Sequence, residues 1–258
     1  MASRNGPGGR VVFFPFPYQV HFNPVLRLAG ALHARRLAVI VFHTELRAPD
    51  PADFAGDYHF VPVPVEIPPE VVASEDIARQ VIELNASCKA PFKDRLAALL
   101  ADGEEGGRVL HVITDVIWHS AQAAARELGV PAMGMMTSCA SSFRTFMAYP
   151  ILIEKGYLPV QASPTCHPSV GQSRCSTAVL RSYNQHLRSL EAADLHKIRE
   201  EMAIQVFAVG LLNKLSPAAK TSLYQLQPDR RCLDWLDTQV PCSVIYVSFG
   251  SLAAMDPH

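Results

Sequence analysis

The chain alternates short, continuous runs of apolar residues with longer stretches whose apolar residues recur every three or four positions. The short runs are rich in β-branched and aromatic residues, which is typical of strands buried on both faces of a parallel sheet. They are Val11 to Phe14, Ala38 to Phe42, His59 to Val63, Val109 to Thr114 and Ala132 to Met136, with a further candidate at Gln205 to Val209. This alternation predicts βαβ units and hence an α/β fold, a doubly wound, Rossmann-like parallel sheet.

The stretches between the strands predict helices. Pro24 is placed by the pattern in the first turn of one helix, where proline is well tolerated. Ser74 to Leu100 has a helical period, with a break predicted at Pro91. Ala121 to Leu128 is predicted to end at Gly129, and Ser138 to cap the helix after the fifth strand. A last helical pattern covers 190–202.

Two parts of the chain depart from this rhythm. Gln161 to Ser189 is rich in Ser, Pro, Cys, Arg and Gln and is expected to be irregular. Ser243 to Phe249 predicts a strand close to the end of the sequence at His258. We therefore expect one domain over 1–240, and in 241–258 the first strand of a second domain, most of which the sequence does not contain.

The composition of the chain argues against several classes of partner and site. The chain is 49% hydrophobic and 18% charged, with a formal net charge of −1, so nucleic acid and anionic membranes are poor candidates as partners. No run reaches the roughly 18 to 20 apolar residues that span a bilayer, so we expect no membrane span and a cytoplasmic protein. The six cysteines lack zinc-ligand spacing, and we interpret them as reduced thiols.

Two polar residues follow strands at the edge where such sheets bind ligands. His21 comes soon after the first strand and is a candidate general base. Asp115 directly follows Val109 to Thr114 and could orient the imidazole of His21. By residue type alone, a histidine in the position of His21 is more often structural than a base, and Asp115 could equally cap the helix that begins near Trp118.

A third candidate is the Ser/Gly turn Ser248-Phe249-Gly250-Ser251, which could offer backbone N–H groups to a phosphate. The sequence contains neither a P-loop nor a GxGxxG fingerprint, which argues against a stand-alone dehydrogenase-type domain.

Several longer motifs resemble one family jointly. They are Phe14-Pro15-Phe16-Pro17-Tyr18-Gln19, His21-Phe22-Asn23-Pro24, Phe42-His43-Thr44, Glu154-Lys155-Gly156-Tyr157-Leu158-Pro159, Cys232-Leu233-Asp234-Trp235-Leu236-Asp237 and Tyr246-Val247-Ser248-Phe249-Gly250-Ser251. They resemble the plant UDP-dependent glycosyltransferases that act on small lipophilic molecules, and within them the cereal branch that includes the benzoxazinoid glucosyltransferases. The likeness is to the amino-terminal half and covers most of the chain outside 161–189.

The resemblance implies a GT-B fold and an inverting transfer of a sugar, glucose being the expected one, without a metal or a cofactor. UDP-sugar would be a co-substrate, bound only if a donor domain is supplied. His21 would be the base and Asp115 its partner. Thr137 matches a position near the donor sugar and Ser251 one near the diphosphate. A small-molecule acceptor would lie against aromatic side chains, namely Phe16, Trp118, Phe143 and Phe146.

Three departures from the family bear on whether this chain is an active enzyme. Val20 stands where the family has glycine, and we expect it to resist a positive φ beside the base. Codons for Leu180 to Arg188 shifted by one base can encode Ile-Asn-Thr-Phe, a run the family has there. We therefore hypothesise that part of 161–189 is read out of frame and that a strand is lost. The donor signature of the family is also missing. The alternative to an active enzyme is an inactive product that at most binds the acceptor.

Overall fold

A computed structural model describes residues 9–49, 58–74, 76–102, 107–157, 177–180, 185–202, 204–210, 212, 231–240 and 242–245. The chain divides into two compact units, 1–223 and 224–258. The second unit contains one described helix, Arg231–Asp237, whose residues are all exposed. The domain boundary expected at 240 stays a prediction.

The first unit is built on one sheet of seven parallel strands in the order β3-β2-β1-β4-β5-β6-β7. The order reverses between β1 and β4, so the sheet is doubly wound. This confirms the predicted fold class. The strands are β1 Arg10–Phe14, β2 Ala38–Thr44, β3 His59–Val63, β4 Val109–Asp115, β5 Ala132–Met136, β6 Thr177–Leu180 and β7 Gln205–Ala208.

Five of the described helices overlap the predicted ones, and two short helices, Pro69–Val72 and Arg231–Asp237, were not predicted. The helices are α1 Gln19–His33, α2 Pro69–Val72, α3 Ile77–Ala101, α4 His119–Glu127, α5 Ala140–Glu154, α6 Gln185–Glu201 and α7 Arg231–Asp237. A short 3₁₀ turn covers Glu45–Arg47. None of the helices in the described ranges is long and apolar enough to cross a bilayer.

Both predictions that rested on proline were wrong. Pro24 lies inside α1, which begins earlier, at Gln19. Pro91 lies inside α3, which continues through it to Ala101. Proline removes only one backbone hydrogen bond of the helix, and Cys88 and Phe92 are fully buried on either side of Pro91. Tertiary packing therefore holds the helix together where local propensity would end it.

The stretch expected to be irregular also contains regular structure. β6 pairs in parallel with β5 and β7, for example Val179 with Met135 and with Phe207, and α6 begins at Gln185. The expectation that a strand is lost here is therefore wrong, because Thr177–Leu180 fills the gap between two strands. Whether this run is read out of frame stays a hypothesis. Residues 243–245 of the last predicted strand are not in a strand, and 246–249 lie outside the described residues.

The sheet face that carries α3 and α4 is packed with aromatic rings. Phe14 stacks on Trp118 with ring centroids 4.6 Å apart, and Phe92 lies 5.1 Å from Phe14 and 5.6 Å from Phe42. All four side chains are fully buried. Cys88, beside them in α3, is an unpaired thiol whose pKa burial raises to about 12. This core fixes the ends of β1 and β4, where the candidate site lies.

The position of Pro91 leads to a stability prediction. We expect Pro91→Ala to raise the free energy of unfolding by up to ~3 kcal/mol, because alanine restores an N–H donor to the carbonyl of Ser87 and removes the ring clash. Urea denaturation would measure the change. The matched control is Pro69→Ala, at the first turn of α2, where proline costs little and no gain is expected. Equal effects at both positions would contradict this account.

Candidate functional site

The candidate site lies where the strand order reverses. β1 and β4 are neighbours with Phe14 paired to Thr114, so both strands end at the same level. α1 begins five residues after β1 ends and carries His21 in its first turn. Asp115 is the last residue of β4. Crevices at such switch points are the usual ligand sites of open parallel sheets.

His21 and Asp115 form a close pair although 94 residues separate them. Nδ1 of His21 lies 2.7 Å from Oδ2 of Asp115. The aspartate side chain is fully buried, while 20% of the histidine side chain stays exposed. An ionised carboxylate only accepts hydrogen bonds, so we assign the ring proton to Nδ1. The lone pair then lies on Nε2, which is the arrangement a general base requires.

Thr137 lies against the same histidine nitrogen. Its hydroxyl oxygen is 3.1 Å from Nδ1 of His21, in the loop between β5 and α5. Because the single proton of Nδ1 is directed mainly to Asp115, the Thr137 hydroxyl oxygen at most shares it as a second, weaker acceptor, and the hydroxyl hydrogen remains able to donate to a bound molecule. The structure thus brings together three of the predicted site residues, each following or ending a different strand.

Asp115 lies against His21 and supports the turn before α4, but it does not cap that helix. While Oδ2 accepts from His21, Oδ1 accepts from the backbone N–H of Ile117 at 3.0 Å. The second bond closes the turn before α4, and the capping residue of α4 itself is Trp118. Both carboxylate oxygens are therefore held, which fixes the direction in which the imidazole is bound.

An aromatic cluster joins the two loops that meet at the site. Nε1 of Trp118 donates to the carbonyl of Pro15 at 3.0 Å. The Phe16 ring lies 4.8 Å from Trp118 and meets His21 edge-on at 5.8 Å. Phe16 and Trp118 are fully buried, so they support His21 from behind. Phe143 packs partly buried near Met136, and Phe146 is 49% exposed. Contact of these four with an acceptor stays a prediction.

Val20 lies in α1 with a side chain that is 49% exposed, and Arg36 and Cys242 are the described non-glycine residues with positive φ. Val20 therefore has no positive φ, in agreement with the resistance expected of a β-branched residue. The expectation for Ser138 was wrong. Ser138 does not cap α5, whose capping residue is Cys139, and its hydroxyl is buried without a hydrogen-bond partner in the described structure. Ser251 lies outside the described residues.

The structure adds buried amides that sequence reasoning missed. Asn85 in α3 bonds to Ile117 and Ser120, and Gln122 in α4 donates to Thr114 and to the carbonyl of Asp115. Asn85 does have a sequence signal, since it falls four residues after Val81 and three before Cys88, on the apolar face of the helix. A polar residue at a core position of a helix predicts a satisfied buried contact.

Other features lie away from this site or carry no ligand set. Within the described ranges, no group of three His, Cys, Asp or Glu side chains is placed to hold a metal ion. A cavity of about 500 Å³ lies at the opposite, amino-terminal edge of the sheet, beside Arg10, Val109 and Pro131. Arg10 donates there to the carbonyls of Gly107 and Leu99, so it satisfies the carboxyl end of α3.

Comparison with known proteins gives relatives over nearly the whole chain. It is 51% identical to the DIMBOA UDP-glucosyltransferase BX8 of Zea mays over 97% of its length, and 51% identical to BX9 of Zea mays over 98%. The chain is therefore similar over its length to plant UDP-glucosyltransferases. It spans 62% of the length of BX8 and 60% of BX9. No protein-family model matches the chain.

Solved plant glycosyltransferases share the fold. The Oryza sativa enzyme Os79, in complex with UDP, superimposes with a TM-score of 0.68 at 17% identity, over 95% of this chain and 62% of its own. UGT71G1 of Medicago truncatula, complexed with UDP-glucose, gives 0.66 at 18% identity, over 98% of this chain and 62% of its own. The doubly wound sheet is therefore that of the GT-B glycosyltransferases.

His43, at the same sheet edge, predicts a dependence of stability on pH. It is buried near the end of β2 beside Phe60, and burial lowers its pKa below 6.5, although a bond to the Thr44 carbonyl opposes this. The unfolded chain then binds a proton at His43 more readily than the folded chain does. His43 therefore stabilises the fold fully above about pH 6.5 and progressively less as the pH falls below it.

We therefore expect the free energy of unfolding to decrease between about pH 7.5 and 5, and part of that slope to disappear in His43→Gln. Urea titrations across this range would show it. His59→Gln, which replaces an exposed histidine on the neighbouring strand, is the control and should keep the native slope. An unchanged slope in His43→Gln would refute the assignment.

Proposed function

We propose that this site activates the acceptor hydroxyl in a UDP-sugar-dependent glycosyl transfer. The observation that carries the proposal is the His21–Asp115 pair at the strand switch point, with one imidazole nitrogen bound to a buried carboxylate. The relationship to the two maize UDP-glucosyltransferases, at 51% identity, supports the same function.

The reaction follows from the protonation state of His21. Nε2 takes the proton of the acceptor hydroxyl while the acceptor oxygen forms a bond to the anomeric carbon of the sugar. The bond between that carbon and the diphosphate oxygen breaks, UDP leaves with the electron pair, and the configuration inverts. Asp115 stabilises the imidazolium that results, because its carboxylate lies 2.7 Å from the other ring nitrogen.

The acceptor is proposed to be a small lipophilic or phenolic molecule with a hydroxyl group. Both maize relatives are named for DIMBOA, which makes a compound of that type the first acceptor to try. Of the predicted aromatic contacts, Phe146 offers open surface, with Tyr149 beside it at 5.9 Å between ring centroids. Aromatic rings of this kind suit a planar acceptor.

The sugar donor is proposed to be UDP-glucose. Thr137 is proposed to donate a hydrogen bond to the sugar, and the position of its hydroxyl beside His21 supports this. A second candidate function is binding of the acceptor without transfer. It is favoured by the His21–Asp115 pair and the aromatic cluster beside it, which could contact an acceptor in the absence of a sugar donor.

Both functions can be tested on the chain as it stands. Incubation with UDP-glucose and DIMBOA should yield the glucoside by mass spectrometry. His21→Ala should lower the rate by ~10²- to 10⁴-fold, the usual contribution of a general base. His33→Gln, which changes another histidine of the same helix, is the matched control and should retain activity.

Titration calorimetry with UDP and with DIMBOA separates the candidates. Binding of both ligands together with turnover supports transfer. Binding of DIMBOA without UDP binding or turnover supports the acceptor-binding function. An undiminished rate in His21→Ala would overturn the proposed mechanism, and absence of all binding would overturn both functions.

A further inference from the structure

One buried amide lies one hydrogen bond away from the turn that holds Asp115. Asn85, in α3, is 3% exposed and has each of its polar atoms satisfied. Its Nδ2 donates to the carbonyls of Val81 at 3.0 Å and Ile117 at 3.1 Å. Its Oδ1 accepts from the backbone N–H of Ser120 at 3.1 Å and from the Ser120 hydroxyl at 2.9 Å.

These bonds fix Ile117 from the side opposite to Asp115. The carbonyl of Ile117 is held by Asn85, while its N–H donates to Oδ1 of Asp115 at 3.0 Å. The other carboxylate oxygen, Oδ2, then faces Nδ1 of His21. A continuous series of hydrogen bonds therefore runs from α3 through the turn before α4 to the imidazole of α1.

The turn has further support. Gln122 donates to the hydroxyl of Thr114 and to the carbonyl of Asp115, which belong to the strand end. The carbonyl of Ile117 accepts from the Asn85 side chain and also from the backbone N–H of His119 at 2.9 Å, within the turn itself. Loss of Asn85 would leave that carbonyl with the His119 N–H alone and would remove the hydrogen bond that ties Ile117 to α3.

We propose that Asn85 is a positioning residue, which sets the direction of the Asp115 carboxylate through Ile117 and so keeps the His21 proton on Nδ1. The inference rests on the proposed function for its catalytic meaning, but the proton position can be observed without turnover. A purely structural Asn85, which only ties α3 to α4 through Ser120, would affect stability and leave the His21 tautomer unchanged.

The test compares two substitutions of Asn85. Asn85→Leu keeps the approximate volume and removes every hydrogen bond of the side chain. Asn85→Ser is milder, because a helical serine can donate to the carbonyl four residues earlier, as Ser87 does to Glu83 at 3.0 Å. It still lacks the reach to Ile117, so it tests the proposal even if Asn85→Leu does not fold.

The measurement is the ¹⁵N chemical shift of the two His21 ring nitrogens at about pH 8.5, where histidine is generally neutral. The chain has ten histidines, and a His21→Gln sample assigns the signals. We expect a protonated Nδ1 in the native chain and a mixture of the two tautomers in both Asn85 variants. Native shifts in Asn85→Ser would overturn the proposal.

Leu96→Ala is the matched control for loss of stability. Leu96 is a fully buried residue of the same helix, and its truncation should lower the urea midpoint of unfolding without touching the turn. We expect this variant to keep the native tautomer. A mixture of tautomers in Leu96→Ala would show that general loosening, and not Asn85, controls the proton, and would overturn the proposal.

The tautomer measurement can be interpreted whether or not the proposed function is correct. If the Asn85 variants shift the tautomer and the native chain transfers glucose, the rate should fall by up to ~10²-fold, since small misplacements of catalytic groups carry such losses. If the tautomer shifts but the native chain neither binds nor turns over substrate, the positioning role stands and the proposed function fails.

Discussion

The parallel pairing of β1 with β4 is the constraint on which the site depends. Phe14 pairs with Thr114, and this register puts the residues after both strands at one level of the sheet. The bond from the Trp118 indole to the Pro15 carbonyl then holds the two loops together in the interior, where few competing partners exist. A shift of one residue along either strand would turn Asp115 to the other face of the sheet and separate it from His21.

The sequence predicted the fold well because strand burial leaves a strong signal. Continuous apolar runs identified five of the strands to within two residues at either end, as in Ala132–Met136, and the candidate at Gln205 proved to be a sixth. Proline misled the helix predictions at Pro24 and Pro91, since local propensity takes no account of the buried side chains around them. β6 was missed because only four residues form it and its neighbours lack a period.

The site was partly predictable for a similar reason. The position of His21 and Asp115 after strands was sufficient to expect them together, because carboxyl ends of parallel strands share an edge. Their hydrogen bonds to Thr137 and Ile117 were not predictable, since these depend on loop conformations that have no periodic signal. Asn85 could have been noticed as a polar residue on an apolar helix face, but its partner in a turn 32 residues later could not.

The strand order also has a consequence for how the chain emerges from the ribosome. β1 can pair with β2 soon after Thr44 is made, but its other edge waits for β4, which ends at Asp115. At roughly 5 to 20 residues per second, that edge stays open for several seconds. During this interval Val11 to Phe14 present an unpaired apolar strand of the kind that aggregates readily. The same topology that forms the crevice therefore exposes an aggregation-prone strand while the chain is being synthesised.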